Sequence, residues 1–148
     1  MNPFDIRTVL LAKHAQHVVL IHFPIALFLT GVALDFVAAL TRRRDLAVAA
    51  YYNLTFAALS ALPAAATGLL AWQWELEGKR LKGVLLYHLL AGFTSLLLMV
   101  AVWRIHARIR REPDQPLPPS RWPLQALAVL CVTLTGHLGG FLSGVNHP

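Results

Sequence analysis

Four long apolar runs separated by short polar ones set the pattern of this chain: Val18 to Leu40, Leu46 to Trp72, Gly83 to Ile105 and Trp122 to Leu142. Each has the roughly 20 residues with which a helix crosses about 30 Å of hydrocarbon. None keeps the polar face of a helix in a water-soluble domain, so the runs predict membrane-spanning helices. The connections are Thr41 to Asp45, Gln73 to Lys82 and a longer, proline-rich stretch from His106 to Arg121. Such short links make successive helices antiparallel, which predicts an all-α, up-down-up-down four-helix bundle. Residues 1–17 are expected to form an interfacial segment, with Phe4, Ile6, Val9, Leu10 and Leu11 against lipid, and residues 18–148 the bundle.

Composition agrees: 57% of the 148 residues are hydrophobic and 14% charged. A formal charge of +6 would suggest nucleic acid in a soluble protein. Here the basic residues flank apolar spans, where they set topology and meet lipid headgroups, and nucleic-acid binding is excluded. The face opposite the N-terminus carries Arg42, Arg43, Arg44, Arg104, Arg108, Arg110, Arg111 and Arg121, a larger set than Arg7, Lys13, Lys79, Arg80 and Lys82. The positive-inside rule therefore predicts a periplasmic N-terminus in a bacterial inner membrane. Cys131 is the only cysteine. That rules out a disulfide framework and, with no C-x-x-C-H motif, covalent haem attachment.

Imidazole in hydrocarbon is costly unless paired or coordinated, which makes intramembrane histidines candidate sites. His22 and His88 each fall about one turn inside the N-terminal face, on the first and third helices, and His137 about a turn and a half before the end of the fourth. All three share one slab. In an up-and-down bundle the first and third helices are diagonal, an arrangement that lets two imidazoles approach a flat cofactor from opposite sides. Small residues at the same level leave room for a ring: Ala26 beside His22, Gly92 beside His88, Gly140 beside His137, and Gly68 on the second helix. Small residues also serve simple close packing of membrane helices.

His137 is open to three roles: ligand, hydrogen-bond partner of a haem propionate, or part of a quinone pocket. His17 is an alternative ligand, although His14 and His17 read first as solvated interfacial residues with no carboxylate or thiolate beside them. His106 and His147 read as surface residues. Asp35 is expected to pair with Arg42, Arg43 and Arg44, with a proton or quinone site as the alternative, and Asn53 is a candidate second partner. Pro24 frees the carbonyl of Leu20 and loosens the first helix near His22. Trp72, Trp74, Trp103 and Trp122 fall at span ends, as an aromatic belt does.

The runs His17-Val-Val-Leu-Ile-His22-Phe-Pro-Ile-Ala-Leu with Asp35, Ala61-Leu-Pro-Ala-Ala65 with Thr67-Gly68-Leu-Leu70, His88, and Gly136-His137-Leu-Gly-Gly140 cover all four spans in order. In them the chain resembles DUF2231, a family of small four-helix bacterial membrane proteins. It departs at Ala71, where the family tends to carry an acid, and near Leu142-Ser143, where it tends to carry an aromatic residue. Some members are fused to, or encoded near, Rieske-type or other respiratory proteins, so the resemblance implies electron transfer and haem binding by the histidines. The expected function is a b-type cytochrome subunit with haem between His22 and His88, which are its metal ligands. It would not be catalytic alone, and would work with a larger membrane redox complex or a periplasmic redox protein. Self-association stays open, and quinone is a second candidate ligand. Two alternatives stand beside it: a structural or assembly subunit without a cofactor, and a metal or solute conduit through His14, His17, His22 and His137.

Overall fold

The computed structural model describes residues 13–74, 80–112 and 115–144, and the side chains of all of these except 13, 14 and 109. Four long helices account for most of them: α1 Lys13–Thr41, α2 Arg44–Trp74, α3 Gly83–His106 and α5 Arg121–Leu142, with a single turn, α4 Arg108–Arg111, after α3. All four are long and apolar enough to cross a membrane. Their limits differ from the predicted spans chiefly at the start of α1. That helix begins at Lys13 and takes His14 and His17 into its first turns, while residues 1–12 of the expected interfacial segment lie outside the described residues.

Buried positions recur with alternating spacings of three and four residues. On α1 they are Pro24, Phe28, Gly31, Asp35 and Ala38; on α2 Ala50, Leu54, Ala57, Ala61, Ala64 and Ala71, with Ala58 beside them. On α3 they are Ser95, Met99, Val102 and His106, and on α5 Gln125, Ala128 and Val132. A seven-residue repeat of this kind keeps one narrow seam of each helix turned inward along its whole length. The outward faces carry large apolar side chains, among them Phe23, Leu40, Phe56, Tyr87, Phe93 and Leu130. That distribution suits lipid as solvent and would not suit water.

Packing is uneven around the bundle. The α1–α2 hairpin is the tightest contact, α3–α5 is next, α2–α3 is looser, and α1 and α5 touch at few points. Close approach in the first hairpin follows from small side chains: a Cβ on Gly31 would come within 2.8 Å of the Leu54 side chain, and the α2 seam is mostly alanine. Contacts run in opposite senses within each hairpin. His17 meets Ala64 while Gly31 meets Leu54, and His88 meets Thr135 while His106 meets Gln125. A two-residue turn joins α1 to α2, with Arg42 at φ 56° in the left-handed region.

Because Leu54 is fully buried against Gly31, Gly31→Val is expected to lower stability by about 2 kcal/mol through overpacking. Leu54→Ala in the same chain should recover part of the loss. Reversible unfolding in bicelles with a denaturing detergent would measure both.

Candidate functional site

Polar side chains on the inward seams gather at the two ends of the bundle. At the end nearest the N-terminus of α1, His17 and His88 meet edge to face, with ring centroids 6.4 Å apart and planes at 82°. The Nδ1–H of His17 donates to the Ala64 carbonyl of α2 at 2.9 Å, and that of His88 to the Thr135 carbonyl of α5 at 3.1 Å. A carbonyl only accepts, so each bond places a ring proton on Nδ1. Glycines admit both rings. A Cβ on Gly68 would sit 2.8 Å from the His17 ring, and one on Gly139 would sit 3.2 Å from the His88 ring. Thr67, 3.4 Å from His17 Nδ1, and the Ser95–Thr135 hydroxyl pair complete the polar surroundings.

The other predicted residues lie elsewhere. His22 is exposed on the outer surface of α1, where its ring bonds the Val18 carbonyl of its own helix at 2.7 Å. His137 is exposed on α5, against Phe141. The structure therefore does not bring His22 and His137 to His88. It brings His17 there, part-buried and not solvated as the sequence suggested. His22 and His137, two members of the four-histidine relay, are both exposed. Gly92, expected beside His88, faces the Thr135 methyl, Gly136 has open space where a Cβ would be, and Gly139 is the glycine that lies against His88. The side chain of His14, and all of His147, lie outside the described residues. Among the described residues, no group of three or more His, Cys, Asp or Glu could hold a metal ion.

The signal that separates His17 from His22 is azimuth, which depth in the membrane does not report. His17 stands seven residues before Pro24 on the buried seam of α1, whereas His22 falls between seam positions. His88 likewise precedes Ser95 by seven, and His137 is flanked by the seam residues Thr135 and Gly139.

At the opposite end the seams supply Asp35, His106 and Gln125, which are 3%, 0% and 2% exposed. Asp35 Oδ2 accepts from Arg121 Nε at 3.0 Å and from Gln125 Nε2 at 2.9 Å, and lies 3.3 Å from His106 Nε2. His106 Nδ1–H donates to the Val102 carbonyl. Arg121 also bonds the Leu117 carbonyl and lies over the Trp122 ring. Two expectations are corrected here. Asp35 pairs with Arg121 from the last helix, while Arg43 of the first turn is taken by its neighbour Asp45. His106 is a core residue and not a surface one, because it continues the seam of α3 four residues after Val102. Asn53 turns back to the Ala49 carbonyl of its own helix and takes no part.

Residues 13–146 match the family described as predicted membrane protein DUF2231. The chain belongs to the DUF2231 family. No curated protein and no solved structure matches this DUF2231 chain. The family match and the four apolar helices agree in describing an integral membrane protein.

Removing one partner of a buried ion pair strands the other charge, so Asp35→Ala is expected to cost about 3 kcal/mol. That is the low end of the usual range, since the Arg121 guanidinium is partly exposed. Adding Arg121→Leu should return part of that loss, a non-additivity that unfolding of the two single variants and the double variant in bicelles would detect.

Proposed function

We propose that this DUF2231 chain is a membrane-embedded, electron-transferring subunit that carries haem b between His17 and His88, near the periplasmic face of a bacterial inner membrane. The observation that carries this reading is the meeting of two inward imidazoles from different hairpins. His17 and His88 would hold the iron through ring nitrogens, and their ring centroids stand 6.4 Å apart between the two hairpins. The carbonyls of Ala64 and Thr135 act as the outer-shell acceptors that orient ligating histidines and fix their tautomer. The two hairpins pack more loosely against each other than the helices do within either hairpin.

Held by His17 and His88, haem b would supply one-electron chemistry. The chain's own part is to hold two ligands rigidly on separate hairpins and to surround them with hydrocarbon. The arginines at the far end favour the orientation with the histidine pair outside. A larger redox complex or a periplasmic redox protein would supply and receive the electrons.

A second reading has its own support in the same hydrogen bonds. His17 ties α1 to α2 and His88 ties α3 to α5, as interhelical fasteners in an assembly subunit without a cofactor would. Spectroscopy separates the two readings. Full-length protein, extracted from membranes of cells supplied with haem precursor, is expected to show a b-type band in the reduced-minus-oxidised spectrum, with one iron per chain. His17→Ala and His88→Ala should each abolish the band, and His22→Ala and His137→Ala should keep it. Protein without iron or band, or a band that survives loss of His17 and His88, would leave the fastener role.

A further inference from the structure

The fold sorts the arginines at the Asp35 end of the bundle into those it holds and those it leaves outward. Arg43 pairs with Asp45 and Arg121 with Asp35. Arg110 of α4 donates to the Tyr52 hydroxyl of α2 at 2.9 Å, with its guanidinium 5.9 Å from the centre of that ring. This last contact pins α4 against α2 and so sets which way the neighbouring arginines point.

Arg104, Arg108 and Arg111 follow one another at spacings of four and three. Between α3 and α4, Ala107 stays in the right-handed helical region at φ −59° and ψ −18°. The helical path therefore carries through, and the three fall within about 60° of one another around it, over about 10 Å of its length. Arg104 stands about 160° from the seam residue Val102, and Arg108 about 160° from His106, so the stripe turns away from the bundle. All three side chains are exposed. Arg104 lies inside α3, a helix of membrane-crossing length, and its outward face borders hydrocarbon.

No carboxylate among the described residues forms an ion pair with any of the three. Asp35 and Asp45 are engaged elsewhere, and Glu112, exposed at the end of α4, pairs with none of them. A guanidinium does not shed its charge, and a charge at the edge of hydrocarbon is costly until paired. The complementary partner is an anion that resides at the membrane surface. A phosphodiester fits, since it offers two oxygens to the guanidinium fork. Three positive charges on one stripe repel the cationic group of a zwitterionic lipid and favour a head group of net negative charge.

We propose that Arg104, Arg108 and Arg111 bind the phosphate of an anionic phospholipid of the phosphatidylglycerol class, in the leaflet at the Asp35 end. This is narrower than the attraction of any flanking arginine to head groups. One lipid is held on one helix face and selected by head-group charge, and the exposed Arg42 and Arg44 at the turn between α1 and α2 play no part in the selection. The inference goes beyond the haem reading and depends neither on iron nor on orientation in the membrane.

The test is native mass spectrometry of the full-length protein in a neutral detergent, titrated with dioleoylphosphatidylglycerol or dioleoylphosphatidylcholine. The first phosphatidylglycerol is expected to bind at least tenfold tighter than phosphatidylcholine, and inorganic phosphate at equal concentration should not displace it. Replacing Arg104, Arg108 and Arg111 together by Gln should bring the two lipids within twofold of each other. Arg42→Gln with Arg44→Gln should keep the preference. Arg104→Gln and Arg108→Gln alone should each weaken phosphatidylglycerol at least threefold, which decides the matter if the triple variant does not fold. Equal affinity for the two lipids, a preference that survives the triple replacement, undiminished binding in both single variants, loss of the preference with Arg42 and Arg44, or displacement by inorganic phosphate would overturn the proposal.

Discussion

A carboxylate cannot be left alone in hydrocarbon, and the way this chain satisfies Asp35 shapes the bundle. The acid sits on the inward seam of α1, and its cation, Arg121, comes from the first turn of α5, the helix that α1 otherwise scarcely touches. One charge-assisted hydrogen bond therefore joins the first and last helices where side-chain packing does little. Gln125 and His106 add their contacts to the same oxygen, so three helices converge on one atom. Geometry of this quality is needed for a desolvated ion pair to hold, because the penalty for leaving water is otherwise larger than the attraction.

The remaining cohesion comes from backbones that approach closely. In a bilayer the lipid tails are as apolar as leucine, so helices gain little from burying large side chains and more from dense contact. The alanine seam of α2 and Gly31 of α1 supply that contact in the first hairpin. Its apolar core continues through Phe28, Leu54, Met99, Val102, Ala128 and Val132, with polar groups at either end. Each inward seam thus has an apolar middle and chemically capable ends. A paired imidazole site and an acidic network share one bundle without sharing a neighbourhood.

Much of this was legible in the residues. The four spans, their order and the all-α class follow from run length and hydropathy, and the helices of the structure reproduce them to within a few residues except at Lys13. His88 meets His17 and bonds the Thr135 carbonyl at the depth its position in the third run gives it. His22 was preferred to His17 because depth was weighed without azimuth. The spacing Pro24, Phe28, Gly31, Asp35 already marked which side of α1 faces inward, and it continues back to His17. His106 was misjudged for a different reason: neighbours in sequence, Arg104 and Arg108, are exposed, while its helix turns the imidazole itself fully inward. The pairing of Asp35 with Arg121 was beyond local reading, since sequence proximity favoured the arginines a few residues away and only the closed fold brings position 121 near.

The separation of these two partners along the chain, 86 positions, has a bearing on biogenesis. A ribosome delivers α1 to the bilayer long before it makes the guanidinium that will pair with Asp35, so a nascent chain holds an uncompensated acid at membrane depth until α5 arrives. Asp35 thus makes the seating of α1 conditional on the arrival of α5.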